Sequence, residues 1–137
     1  MAIRDLDELL ANLSARRRPG RWCLVSDAAL PTGVEVAATV VEDEGVTAVI
    51  PVADAERLGL DVDFVAAWLT LEVHSALDAV GLTAAVAGAL ADEQIPANVL
   101  AGFHHDHVLV PEDDADRAIA AIEALRRRAT SGESPTA

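Results

Sequence analysis

Three histidines fall within four consecutive positions, His104, His105 and His107, with Asp106 among them. Imidazoles and a carboxylate at such spacing are donors for a divalent metal, and His105 and His107 share one face if a strand begins there. Adjacent and alternating histidines do not complete a site by themselves. A hairpin turn that exposes polar side chains, or one that hydrogen-bonds His74, accounts for the same residues, and no metal ligands are assigned. Ser75 beside His74 has no identifiable acid partner, although Ser75, His105 and Asp106 could assemble in three dimensions. Cys23 lies in an apolar strand with no adjacent base. Glycine-rich phosphate motifs are absent. The chain is therefore not expected to be an enzyme, and no catalytic residue and no cofactor is assigned.

The segment Asp78-Ala79-Val80-Gly81-Leu82 offers a different chemistry. Here the chain leaves a strand and enters a helix, where backbone N–H groups and the helix dipole can receive an anion, and Gly81 permits close approach. A structural account is equally open, with Asp78 as an N-cap and Gly81 as a packing glycine against a sheet.

These residues need elements to hold them. Strand patterns cover Trp22 to Ser26, Val36 to Val41, Val46 to Ile50, Ala66 to Val73, Ala97 to Phe103 and His107 to Val110. Hairpins turn through Glu42 to Gly45 and around His104 to Asp106. Leu6, Leu9, Leu10 and Leu13 have the spacing of an amphipathic helix, which Arg16, Arg17, Arg18 and Pro19-Gly20 would end. A longer helix runs from about Val80 to Asp92. Ala115, Ile119, Ile122 and Leu125 line a last one before Arg126, Arg127 and Arg128, and residues 129–137 read as a disordered tail.

The chain also repeats itself. Pro51-Val-Ala-Asp54-Ala55-Glu56-Arg57 and Pro111-Glu-Asp-Asp114-Ala115-Asp116-Arg117 each follow an apolar strand, and further back each follows a tryptophan-bearing one. Measured from Trp22 and from Trp68, the second copy is longer by about one helix, the Val80 to Asp92 segment. Where that helix is missing a strip of sheet needs cover, and the N-terminal leucine helix is the candidate. The second copy lacks only a last strand of the split βαβ pattern, and residues of the first copy, such as Trp22 to Ser26, are expected to supply it.

Composition bounds the rest. The 137 residues carry 10 basic side chains, all arginine, against 23 acids, and a net charge of −13 repels a phosphate backbone. Nucleic acid is an unsuitable partner. One cysteine permits no internal disulfide, which fits a reducing compartment. With neither a signal-peptide pattern nor a long apolar run, cytoplasmic residence with no membrane partner is expected.

The run from Asp78 through Gly81-Leu82 to Asn98-Val99 resembles the ACT domain, a regulatory module that typically binds amino acids. Val80 stands where many members have proline. Trp68-Leu-Thr-Leu-Glu-Val-His74-Ser75 and Ala101-Gly102-Phe103-His104-His105-Asp106-His107 resemble uncharacterised tandem-ACT proteins whose first half is degenerate. The resemblance implies an α+β, ferredoxin-like fold: an antiparallel sheet with helices packed on one face, in two fused copies, the first lacking a helix. The expected division is 1–65 for the degenerate half with its N-terminal helix, 66–128 for the ACT domain, and 129–137 for the tail. It further implies a small-molecule ligand, an amino acid or similar carboxylate metabolite, at Asp78, Val80, Gly81, Leu82, Asn98 and Val99, in a homodimer whose interface completes the pocket. A structural or protein-interaction module without ligand is the alternative, and a metal-binding protein using His104, His105 and His107 is the third reading.

Overall fold

The computed structural model describes residues 5–26 and 29–131. Residues 132–137 of the expected tail lie outside them. Chain order is α1 (Leu6–Ala11), β1 (Ala15–Ser26), β2 (Ala38–Glu42), β3 (Gly45–Pro51), α2 (Val52–Arg57), β4 (Ala66–Leu71), α3 (Leu82–Asp92), β5 (Asn98–Ala101), β6 (Asp106–Pro111), a 3-10 turn (Glu112–Asp114) and α4 (Ala115–Thr130). The strands form one antiparallel sheet in the order β2-β3-β1-β4-β6-β5. Each half contributes three strands, and the first strands of the two halves, β1 and β4, pair at the centre. This is the expected α+β, ferredoxin-like arrangement with its helices on one face.

The duplication is visible in three dimensions. Both β3 and β6 end on a proline, Pro51 and Pro111, and each leads into a helix whose start carries an i,i+3 ion pair, Asp54 with Arg57 and Asp114 with Arg117. Register refines the match, because Trp22 lies opposite Pro51 while Ala66 lies opposite Pro111. Trp22 therefore corresponds to Ala66, and Trp68 to Leu24. Trp22 and Ala66 are also partners across the central β1–β4 seam, which puts a pseudo-twofold axis between them.

The two halves bury different cores on the helix face. In the second, α3 and α4 cover β4 and β6, and Leu69, Val108, Val86, Leu90 and Ile122 are essentially sealed from solvent. In the first, Cys23, Val25, Ala48 and Ile50 are covered only by Val52 and Ala55 of α2 and by chain around Leu30, Val34, Leu60 and Val62.

Three expectations at the N-terminus need correction, and at the other end Ala129 and Thr130, expected in the tail, continue α4. The arginine triplet does not end a helix: α1 stops at Ala11, where the Asn12 side chain donates to the Glu8 carbonyl (2.8 Å), and Arg16 to Arg18 lie inside β1. There Ala15 to Arg18 pair with Leu71 to Trp68, so this segment, not Trp22 to Ser26, is the strand the second half lacked. A register shift between Arg18 and Trp22, at Pro19-Gly20 with Gly20 at φ +110°, lets one long strand do both jobs. Finally, α1 does not cover the first half. Because its exit strand runs along β4, Leu9, Leu10 and Leu13 drop into the second core against α3 and α4.

A further cluster lies on the sheet face away from the helices. Trp22, Val49, Ala66, Trp68 and Leu109 are buried there, with Phe64 and Leu100 packed against them.

Candidate functional site

A cleft of about 190 Å³ opens between the β4–α3 connection and the β5–β6 turn, bounded on one side by Ser75, Leu77, Gly81, Leu82 and Thr83, and on the other by Ala101, Gly102, His105 and Asp106. Local sequence explains its walls. Gly81 is the N-cap residue of α3 at φ +107°, a conformation that side chains resist, and its carbonyl accepts the first helical bond from Ala85 N (2.9 Å). The cap is a glycine and the first turn of α3 carries no acidic residue. Across the cleft, the Gly102 N–H donates to the His105 carbonyl (2.9 Å) and closes the turn. A Cβ at Gly102 would lie 2.7 Å from that carbonyl oxygen, so only glycine fits.

Electrostatically the cleft has two poles. The positive end of the α3 dipole faces it at Leu82 and Thr83, and Asp106 contributes an acidic residue to the opposite wall. Ser75, Thr83 and His105 add further side chains capable of hydrogen bonding to the lining.

Gly81 has a second role. A Cβ there would come within 2.9 Å of Leu6 Cδ2, so the glycine admits α1, not the sheet, to the start of α3. Leu82 is buried and lines the cleft, whereas Val80 beside them is 83% exposed. Asp78 belongs to the same connection but is not among the lining residues. Asn98 and Val99 are not brought to the cleft: they begin β5, whose other end, Ala101, is the end that lines it. Ser75, Thr83, His105 and Asp106 are lining residues that the sequence had not assigned to a ligand.

The histidines separate into two groups. His104 and His105 gather with His74 at the rim, ring centroids 5.9 and 6.5 Å from it. His107, on β6, turns to Trp68 and Thr70 on the far face of the sheet. Among the described residues no group of three histidine, cysteine or acidic side chains is disposed to hold a metal ion. The Ser75 hydroxyl donates to the Ala76 carbonyl (3.2 Å). Cys23 is buried, and burial, then the nearby Glu56 carboxylate, push its thiol pKa up, which keeps it protonated. Among the described residues no helix is long and apolar enough to cross a membrane.

Comparison with known proteins places this geometry. Residues 64–124 and residues 1–67 each match a family model described as ACT domain. A Vibrio cholerae protein of unknown function, described as a possible transport protein, is 37% identical. Its structure superposes with a TM-score of 0.80 over 88% of this chain and 95% of that one. The ligand-free regulatory subunit of Thermus thermophilus aspartate kinase shares the fold at 9% identity, TM-score 0.59, covering 81% of this chain and 95% of that one. Clostridium acetobutylicum aspartate kinase does so at 13% identity and TM-score 0.60; the match covers 82% of this chain but 34% of the kinase. No curated protein matches the chain. Two matches in tandem, spanning nearly all of the described sheet and its helices, together with a close full-length structural relative, make this chain a member of the ACT domain family built from two fused ACT units.

Proposed function

We propose that the chain is a regulatory ACT protein whose second unit binds an amino acid, or a similar small carboxylate, in the cleft between the β4–α3 connection and the β5–β6 turn. The observation that carries this reading is the pairing of opposite poles in one small space. The opening of α3 suits a carboxylate, and Asp106 suits an ammonium. At about 190 Å³ the cleft is smaller than a typical drug-sized pocket, which favours a compact zwitterion. Gly81 and Leu82 contribute their backbone, Thr83 and Ser75 their hydroxyls, and Asp78 and Val80 shape the approach.

A second copy of the chain is part of the reading. Leu77, Val80 and Phe103 are 68%, 83% and 74% exposed, and each lies in or beside the lining segments, so the mouth is rimmed by apolar side chains. A homodimer that covers this rim would close the cleft over its ligand. The same rim supports the alternative, a protein-interaction module without ligand.

A thermal-shift screen over the amino acids and small carboxylates separates the two. Ligand at about 100 times its Kd stabilises the fold by roughly 2.7 kcal/mol. In Asp106→Asn, which keeps shape and loses charge, binding of an amino acid should weaken about tenfold or more. A screen in which nothing stabilises the parent, while the chain still self-associates, selects the interaction module.

A further inference from the structure

On the sheet face away from the helices, side chains of both units meet at the β1–β4 seam. The Arg18 guanidinium carbon lies 4.6 Å from the Trp22 ring centroid and 5.0 Å from that of Trp68, and its charge pairs with Glu35 at 3.0 Å. The indole N–H of Trp68 is shared between His107 Nδ1 (3.2 Å) and Thr70 Oγ1 (3.3 Å), and His107 Nδ1 lies 3.0 Å from Thr70 Oγ1. The imidazole and the Trp68 indole are in ring contact, with centroids 5.1 Å apart.

An indole N–H can only donate, so the bond from Trp68 to His107 Nδ1 needs that nitrogen as an acceptor, which the neutral ring with its proton on Nε2 supplies. An imidazolium has no acceptor nitrogen. On protonation Trp68 therefore loses one of its two acceptors, and a cation appears among groups already arranged around an arginine. Charged groups near the ring are few. Arg16 and Arg18 of β1 oppose protonation, and their partners Glu72 and Glu35 temper them; β4 presents only Trp68 and Thr70; at the turn His105 opposes protonation and Asp106 favours it. Burial is the largest influence and also favours the neutral ring, so the His107 pKa is held below its ordinary 6.5.

We propose that Arg18, Trp22, Trp68, Thr70 and His107 form a proton-operated latch across the seam between the two ACT units. With His107 neutral, Trp68 is pinned and Arg18 seals both indoles; with His107 protonated, the Trp68 bond breaks and Arg18 is driven off the tryptophan pair. The latch is independent of whether the cleft takes a ligand.

Two tryptophans and no tyrosine occur in the whole chain, so intrinsic emission reports this cluster alone. As pH falls from about 7.5 to about 5, emission of the intact chain should fall, because an imidazolium against an indole quenches it, with a midpoint below the ordinary histidine value. His107→Asn, whose amide oxygen can take the place of Nδ1 but does not titrate, should give a flat profile. A flat parent profile, or the same transition in the variant, would overturn the latch. A proton NMR titration of the parent keeps the test decisive if the variant fails to fold. The His107 ring proton and the Trp68 indole N–H must shift with one midpoint, and an unmoved indole N–H contradicts the proposal.

Discussion

The two ACT units start from the same plan and end with different resources. The second keeps the helix between its first two strands, and with it a helix N-terminus, a β4–α3 connection and a cleft facing the β5–β6 turn. Among the described residues the first has no helix between β1 and β2, and its short α2 covers a small core edged by loops. Even α1, encoded in the first half, is spent on the second core. The first unit thus lacks both that helical cover and a counterpart, among the described residues, of the helix start at which we propose a ligand is held. What the first unit contributes is a shared strand: the start of β1 completes the second unit's sheet, and Trp22 to Ser26 pair with β3 of the first.

Core truncation should show the largest contrast. Leu69 and Ile50 are both fully buried, one under two long helices and one under α2 and loops. Leu69→Ala should fall near the top of the range of about 2–5 kcal/mol for such changes, and Ile50→Ala near the bottom, because loose cover can collapse into the gap. Urea denaturation of both variants checks this, and equal losses would erase the distinction between the cores.

Next come the loop glycines that differ between the units. Gly81 and Gly33 both have positive φ, +107° and +100°, but a Cβ meets Leu6 at Gly81 and nothing at Gly33. Gly33→Ala should cost only backbone strain, about 1–3 kcal/mol, and Gly81→Ala should cost more. Adding Leu6→Ala to Gly81→Ala should cost less than Leu6→Ala does alone, the signature of coupling in a double-mutant cycle.

The smallest effect belongs to Cys23, whose match in the second unit is Ala67. Its folded pKa lies above the ordinary 9.0, so the unfolded chain loses the thiol proton first, and stability should decline as pH rises through 9.0 toward the folded value. The chain has no lysine and no tyrosine, which leaves Cys23 as the one side chain titrating there. Cys23→Ala should cost about 1 kcal/mol or less near neutrality and flatten the alkaline decline, as stability measured at successive pH values would show.

Much of this architecture was legible in the chain. Apolar, β-branched runs marked six strands, and the proline-led repeats at Pro51 and Pro111 marked the duplication because strand ends and helix starts are local events. The N-terminal half of β1 was not legible. Arg16 to Arg18 suit a helix end as well as a two-sided exposed strand, and pairing with β4 decided between them. Likewise the destination of α1 depends on where its exit strand runs, which no local pattern records. At the candidate cleft, the place of Gly81 and Leu82 in the lining follows from the strand-to-helix turn. The opposite wall was not legible: Asn98 and Asp106 lie on neighbouring strands, and only the direction in which the β5–β6 hairpin runs puts Asp106 at the cleft and Asn98 away from it.

The central claim is that ligand recognition resides in the second unit alone. An amide chemical-shift titration of the labelled chain with individual amino acids tests it most directly. We predict saturable shifts, for at least one amino acid, confined to the segments from Ser75 to Thr83 and from Ala101 to Asp106, with the loop from Pro31 to Val36 unmoved. Saturable shifts centred on the first unit, or no saturable response to any amino acid, would contradict the account.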